Sequence, residues 1–216
     1  MFRAPGSADS REWWRVGESR EIGTPHGPAR VHLHLVEHAR GALVLGHGAG
    51  GGVEAPDLKA ATRAAREAGL HVVLSEQPYR VAGRRAPAPA GQLDTAWLAV
   101  VAALREAELA GLPLFFGGRS SGARVACRCA GEGEAAGVVC LAFPEHPPGR
   151  PEKHRRAEID GVAVPVLVIQ GDRDPFGCPP PAPGCEVVVL PGDHSLKKDL
   201  PAVERSVGEW LARQLP

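Results

Sequence analysis

The chain lacks an excess of charge of either sign. Its 25 Lys and Arg balance 25 Asp and Glu, for a formal charge of zero over 216 residues. Nothing in that balance pulls the protein toward nucleic acid or an anionic membrane. No apolar run is long enough to span a bilayer. The opening segment MFRAPGSADSREWW has neither an apolar stretch nor a small-residue cleavage site, so no secretory signal is expected and a cytoplasmic location is. Cysteine is scarce and odd in number, at five. Cys127 and Cys129 are too close for a CxxC metal or redox pair. Cys178 and Cys185 flank a proline-rich stretch where pairing stays open, although reduced thiols suit the cytoplasm. Tyr and Met occur once each.

What is plentiful is glycine (27) and proline (21). Base composition of the gene or many tight turns would both account for that excess. The length fits one domain with a core of its own. Residues 1–18 read as a polar tail carrying the pair Trp13 and Trp14, and residues 19–216 as a single domain.

Short apolar strands alternate with helical segments. The stretch Ala29–Glu37 alternates as a strand near a sheet edge, with His32, His34 and His38 on the exposed side or at the edge. Buried strands are expected at Ala42–Leu45, Leu70–Leu74, Leu114–Phe116, Val138–Phe143, Val164–Ile169 and Glu186–Leu190. Helices are expected from Pro56 to Gly69, over Leu93–Leu109, from Ser121 to about Ala130, over Glu152–Ile159 and around Val203–Leu211. Glu76–Gly91 reads as a long polar loop. The order predicts an α/β fold with a mostly parallel sheet, helices on both faces and no lid domain. Ligands of such sheets bind at the carboxyl ends of the strands.

The distinctive residues fall at those ends. Gly118-Arg119-Ser120-Ser121-Gly122 fits G-x-S-x-G, directly after one strand and before a helix. A nucleophile on so sharp a turn needs small residues two positions away on either side, and the turn aims helix amides at the reaction centre. A serine hydroxyl needs a base, normally a histidine oriented by a carboxylate. Asp174 follows the Val164–Ile169 strand and His194 follows the Glu186–Leu190 strand, in the order Ser, acid, His. Asp172 and Asp193 are rivals for the acid. Asp193 adjoins His194 and is badly placed to face it, and Asp174 lies further into its loop than Asp172, so Asp174 is preferred. The oxyanion of a tetrahedral intermediate needs two N–H donors. Ser121 and Ala49, the latter in the glycine-rich turn Gly46–Gly52, are the candidates. That turn is no Walker A loop, because no Lys-Ser/Thr pair follows it, and the dinucleotide fingerprint is matched only loosely. Arg80, Arg84 and Arg85 form one basic run and Lys153–Arg156 a second, either a solvated face or a site for an anionic substrate group. His47, Gly48, Arg80, Arg119 and His146 are the candidate substrate contacts.

On Leu45–Gly50 (LGHGAG), Glu76–Arg80 (EQPYR), Gly117–Arg124 (GGRSSGAR), Phe143–Pro148 (FPEHPP) and Gly192–Ser195 (GDHS), the chain resembles the α/β-hydrolase superfamily from about Gly23 onward. Within it, the chain looks like the dienelactone-hydrolase-like bacterial branch related to testis-expressed α/β-hydrolases and the KAT8 regulatory complex subunit. The resemblance implies Ser120, Asp174 and His194 as a triad. A mechanism of that kind requires no metal and no organic cofactor. Two departures matter. Dienelactone hydrolases proper carry cysteine where this chain has Ser120, so their lactone substrate does not transfer. The segment Phe176–Gly184 is too short and proline-rich for the helix usual there. The expected activity is a serine esterase or thioesterase acting on a small or open-access acyl ester. The alternatives are a non-catalytic interaction domain and an acyltransferase. The expected partner is a small-molecule ester or thioester, with no nucleic acid or membrane, and the sequence is silent on oligomeric state.

Overall fold

Eight strands form one sheet in the order β1-β2-β4-β3-β5-β6-β7-β8. The computed structural model describes residues 18–215, so Trp13 and Trp14 lie outside the described residues. The strands are β1 (Glu18–Thr24), β2 (Gly27–His34), β3 (Gly41–Gly46), β4 (Leu70–Glu76), β5 (Leu114–Arg119), β6 (Gly137–Leu141), β7 (Val166–Gly171) and β8 (Cys185–Leu190). The helices are α1 (Pro56–Glu67), α2 (Pro78–Val81), α3 (Ala90–Arg105), α4 (Ser121–Cys129), α5 (Arg156–Asp160) and α6 (Leu200–Gln214). β3 to β8 run parallel, while β1 and β2 join antiparallel at one end. This is the expected α/β architecture.

The parallel strands β3 to β7 are buried on both faces, which explains their unbroken apolar runs, whereas β8, expected to be buried, lies at the sheet edge and is partly exposed. Alternate residues feed two separate cores. Leu43, Leu45 and Phe115 face α1 and α6, while Ala42, Val44 and Phe116 face α3 and α4. Each of two neighbouring phenylalanines meets a different tryptophan edge-on. Phe115 lies 6.0 Å from Trp210 and Phe116 lies 5.6 Å from Trp97. All four rings are at most 2% exposed, and each buried ring contributes roughly 2–3 kcal/mol of transfer free energy.

Four other local expectations change. β1 has no counterpart in the sequence reading, because it is an edge strand in which only Ile22 is buried, so its apolar alternation is invisible. With β1 outside it, β2 lies one strand in from the edge. His34, expected on the exposed side, is buried; the charges of Arg66 on α1 and Glu54 just before that helix act on it there. The polar stretch Glu76–Gly91 contains the single-turn helix α2, begun by Pro78 at its first position. The strand expected to reach Phe143 ends at Leu141, where Ala142 takes a positive φ of 50°. Residues 172–184 join the parallel strands β7 and β8 without a helix. Among the described residues, no helix is long and apolar enough to cross a membrane.

Candidate active site

The carboxyl ends of β3, β5, β7 and β8 bring four turns together. The turn after β5 is the tightest. Ser120 holds φ 53° and ψ −110°, a strained backbone for a residue with a side chain. Its amide is anchored to Leu141 O at 2.9 Å. The small residues on either side are required by contact. A Cβ on Gly118 would sit 2.5 Å from Gly46 O, and a Cβ on Gly122 would strike the same carbonyl. The elbow can therefore press against the end of β3 only if both positions are glycine.

His194 Nε2 lies 2.9 Å from Ser120 Oγ, and His194 Nδ1 lies 2.8 Å from Asp174 Oδ2. Because the carboxylate can only accept, it assigns the proton to Nδ1 and leaves Nε2 as an acceptor toward the serine. The Asp174 side chain has no solvent exposure. It also accepts from Gln170 Nε2 at 2.6 Å and from the Phe176 amide at 2.8 Å. Three donors surround one buried carboxylate and satisfy its oxygens. The Phe176 ring lies 4.2 Å from the imidazole at a 31° tilt and covers it. The rival carboxylates point elsewhere. Asp172 Oδ1 accepts from the Gly192 amide at 2.7 Å, and Asp193 Oδ1 accepts from the amide and hydroxyl of Ser195.

The glycine-rich turn after β3 is held from behind. His47 is buried, and both ring nitrogens are occupied. Nε2 accepts from the Gln77 amide at 3.1 Å, so Nδ1 carries the proton and donates to Gly48 O at 2.8 Å. Burial pushes the His47 pKa below its ordinary value. Because a trans peptide points its C=O and N–H in opposite directions, the Ala49 amide faces away from His47. Tyr79 Oη donates to Ala49 O at 2.8 Å and fixes the next peptide. Among the described residues, neither the Ala49 nor the Ser121 amide donates to a protein acceptor. Ser121 opens α4, where the first amides have no intrahelical partner.

The other candidate contacts fall in different settings. Gly48 packs against the elbow, its Cβ position 3.7 Å from Ser120 Cβ. Arg119 is engaged by protein on two nitrogens: Nε lies 2.9 Å from Asp57 Oδ2, and Nη2 donates to His194 O at 2.7 Å. Arg80 stands on α2, half-buried, and its charge acts on His47. His146 packs on the acid loop: its amide donates to Phe176 O at 3.0 Å, and its ring lies against Gly177. Of the basic runs, Arg84 and Arg85 are exposed, whereas Arg155 and Arg156 bond Pro144 O and Asp160. All five cysteines are free, Cys178 and Cys185 included. Among the described residues, no cluster of three His, Cys, Asp or Glu could hold a metal ion.

Sequence reasoning missed Asp57, Gln77, Tyr79 and Gln170 as parts of this site. Gln77 and Tyr79 lay inside the EQPYR segment but carried no chemistry of their own. Gln170 was simply the polar end of an apolar strand, and Asp57 an ordinary first-turn acid.

The model of an alpha/beta hydrolase domain matches residues 39–200. No curated protein matches the chain significantly in sequence. Among solved structures, the chain is similar to an α/β serine hydrolase without lid from Xanthomonas campestris, at 24% identity and TM-score 0.75 over 93% of this chain and 95% of that one. It is similar to a dienelactone hydrolase from Anabaena variabilis, at 18% identity and TM-score 0.73 over 93% and 98% of the two chains. Est1E from Butyrivibrio proteoclasticus follows, at 17% identity and TM-score 0.71 over 92% and 99%. With the family model covering most of its length, the chain belongs to the α/β hydrolase family.

Proposed function

We propose that the protein is a serine esterase or thioesterase working through Ser120, His194 and Asp174. The observation that carries this reading is the unbroken hydrogen-bonded line from Ser120 Oγ through the imidazole to the buried carboxylate. Ser120 attacks the acyl carbonyl while His194 Nε2 takes its proton. Asp174 holds the imidazole in the reactive tautomer and balances the imidazolium that forms. The Ala49 and Ser121 amides receive the oxyanion. His194 returns the proton to the leaving alcohol or thiol, which departs as the acyl-enzyme forms. Water, activated by the same imidazole, then releases the acid.

The substrate class we infer is a small or openly bound acyl ester. The helix-free connection of residues 172–184 beside the acid, and the similarity to a serine hydrolase described as lidless, support it. The Gly117–Arg124 elbow motif supports placement in the dienelactone-hydrolase-like branch, next to the testis-expressed proteins and the KAT8 regulatory complex subunit. Five free thiols support a reducing, cytoplasmic setting.

The test is hydrolysis of short p-nitrophenyl esters and acyl thioesters by wild type and Ser120→Ala. The reading expects turnover by wild type and a loss of at least roughly 10³-fold in the variant, the scale on which removal of a triad member acts. Equal rates for the two proteins would refute it.

A further inference from the structure

Arg119 precedes Ser120 in the chain, and its side chain spans three segments. Its Nε lies 2.9 Å from Asp57 Oδ2, at the start of α1. Its Nη2 donates to the carbonyl oxygen of His194 at 2.7 Å. Its Nη1 is 3.0 Å from the place a Cβ would occupy on Gly48, so the guanidinium lies against the oxyanion turn. Asp57 has no solvent exposure, and its other oxygen accepts from the Leu58 amide at 3.0 Å.

Stability is a poor account of this arrangement. Burial pushes the Asp57 pKa up, against the pull of Arg119, so desolvation works against the ion pair. A pair buried in this way is roughly break-even against apolar side chains. What a planar guanidinium supplies is fixed direction: its nitrogens lie in one plane, so holding Nε beside Asp57 also fixes where Nη2 meets the His194 carbonyl. The imidazole is otherwise steered by Asp174 and by the face of Phe176. Neither contact governs how far the His194 main chain stands from β5.

We propose that Arg119, with Asp57 as its buried counter-ion, is a positioning residue that sets the His194 main chain and the Gly48 turn relative to Ser120. The inference rests on the serine hydrolase reading above. It also moves Arg119 out of direct substrate contact. A lysine at the position presents one nitrogen where arginine presents two in fixed directions. Asp57→Asn keeps the acceptor for the Leu58 amide and removes the charge that orients the guanidinium.

The experiment compares full-length wild type, Arg119→Lys, Arg119→Met and Asp57→Asn on p-nitrophenyl butyrate. Thermal melting and the rate of fluorophosphonate labelling are followed in parallel. A misplacement of about 1 Å costs on the order of 10²-fold in rate. Arg119→Met is therefore expected to lose about a hundredfold in kcat, with KM within about twofold of wild type. Arg119→Lys and Asp57→Asn are expected to lose roughly tenfold, as partial losses of the same positioning. The Met variant combined with Asp57→Asn should be no slower than the Met variant alone, because both break one device. Labelling should slow in step with kcat and still reach one adduct per chain. If Arg119→Met does not fold, the Lys and Asn variants carry the same expectation. Lowered melting with unchanged kcat would make the pair a stability element and overturn the proposal. A raised KM with kcat kept would make Arg119 a substrate contact and overturn it as well. Wild type that neither labels nor turns over ester defeats the serine hydrolase reading and this inference with it. Wild type that labels, beside Arg119 variants equal to it, defeats this inference alone.

Discussion

Gln170 Nε2 donates to Asp174 Oδ2 at 2.6 Å, the same oxygen that His194 Nδ1 approaches at 2.8 Å. The amide comes from the buried core of β7 and also donates to Gly177 O at 2.7 Å. It therefore ties both arms of the acid loop to the sheet. Gln170→Leu removes a donor to a charged acceptor, a bond contributing roughly 1.5–3 kcal/mol. We expect kcat on a short ester to fall about 10- to 100-fold as the acid loop loses its tie to β7. Steady-state kinetics check this. A kcat identical to wild type would show that Asp174 needs no support from β7.

The contact of Gly118 and Gly122 with Gly46 O makes a prediction about stability. Gly122→Ala places a methyl group on backbone that cannot rotate away. Overpacking of this kind costs about 1–3 kcal/mol or more. For a chain of this size, that corresponds to a melting temperature lower by roughly 2–12 °C, read by thermal denaturation. Gly91→Ala, at a position with open space around its Cβ site, is the control and should melt close to wild type.

His47 gives a pH prediction. Burial lowers its folded-state pKa below its ordinary value, so the unfolded chain binds the proton first as pH falls. Stability is whole above the unfolded value of about 6.5 and is lost progressively as pH drops toward the folded one. His34 is shifted in the same direction by the same cause. Urea unfolding at a series of pH values between 8 and 5 should show a falling midpoint. In His47→Ala the midpoint is lower at pH 8 and falls less steeply. Protonating Nε2 would also break its bond to the Gln77 amide, so the glycine-rich turn loosens over the same range.

Tyr79, the one tyrosine of the chain, donates its hydroxyl to Ala49 O. Tyr79→Phe keeps the ring beside His47, 5.8 Å away edge-on, and deletes only that bond. A neutral hydrogen bond contributes about 0.5–1.5 kcal/mol, so kcat should fall roughly threefold to tenfold. KM should hold, since the bond orients a donor and does not touch substrate. A change confined to KM would contradict the role given to the turn.

How far the site was readable from residues alone follows from what each residue announces. G-x-S-x-G after a short apolar strand places Ser120, because the contact with Gly46 excludes larger neighbours and leaves a visible spacing. Reach into the loop favours Asp174 over Asp172, and the structure puts Asp172 on the Gly192 amide. The supporting residues leave no such trace. Gln170, Asp57 and Gln77 act through partners 4 to 62 positions away or through main-chain atoms, and only the fold brings those together. β1 escaped because a strand paired on one side, with one buried residue, has no period to read. The burial of His34 is not legible either, because alternation along a strand says which side a residue faces, not whether a helix covers that side.

The central claim is that the hydroxyl of Ser120 is a nucleophile primed by His194. A fluorophosphonate probe, followed by mass spectrometry of the digested protein, tests it most directly. The account predicts one adduct per chain, on Ser120, absent in Ser120→Ala and strongly slowed in His194→Ala. Labelling that persists unchanged in Ser120→Ala, or a wild-type protein that stays unlabelled, would contradict it.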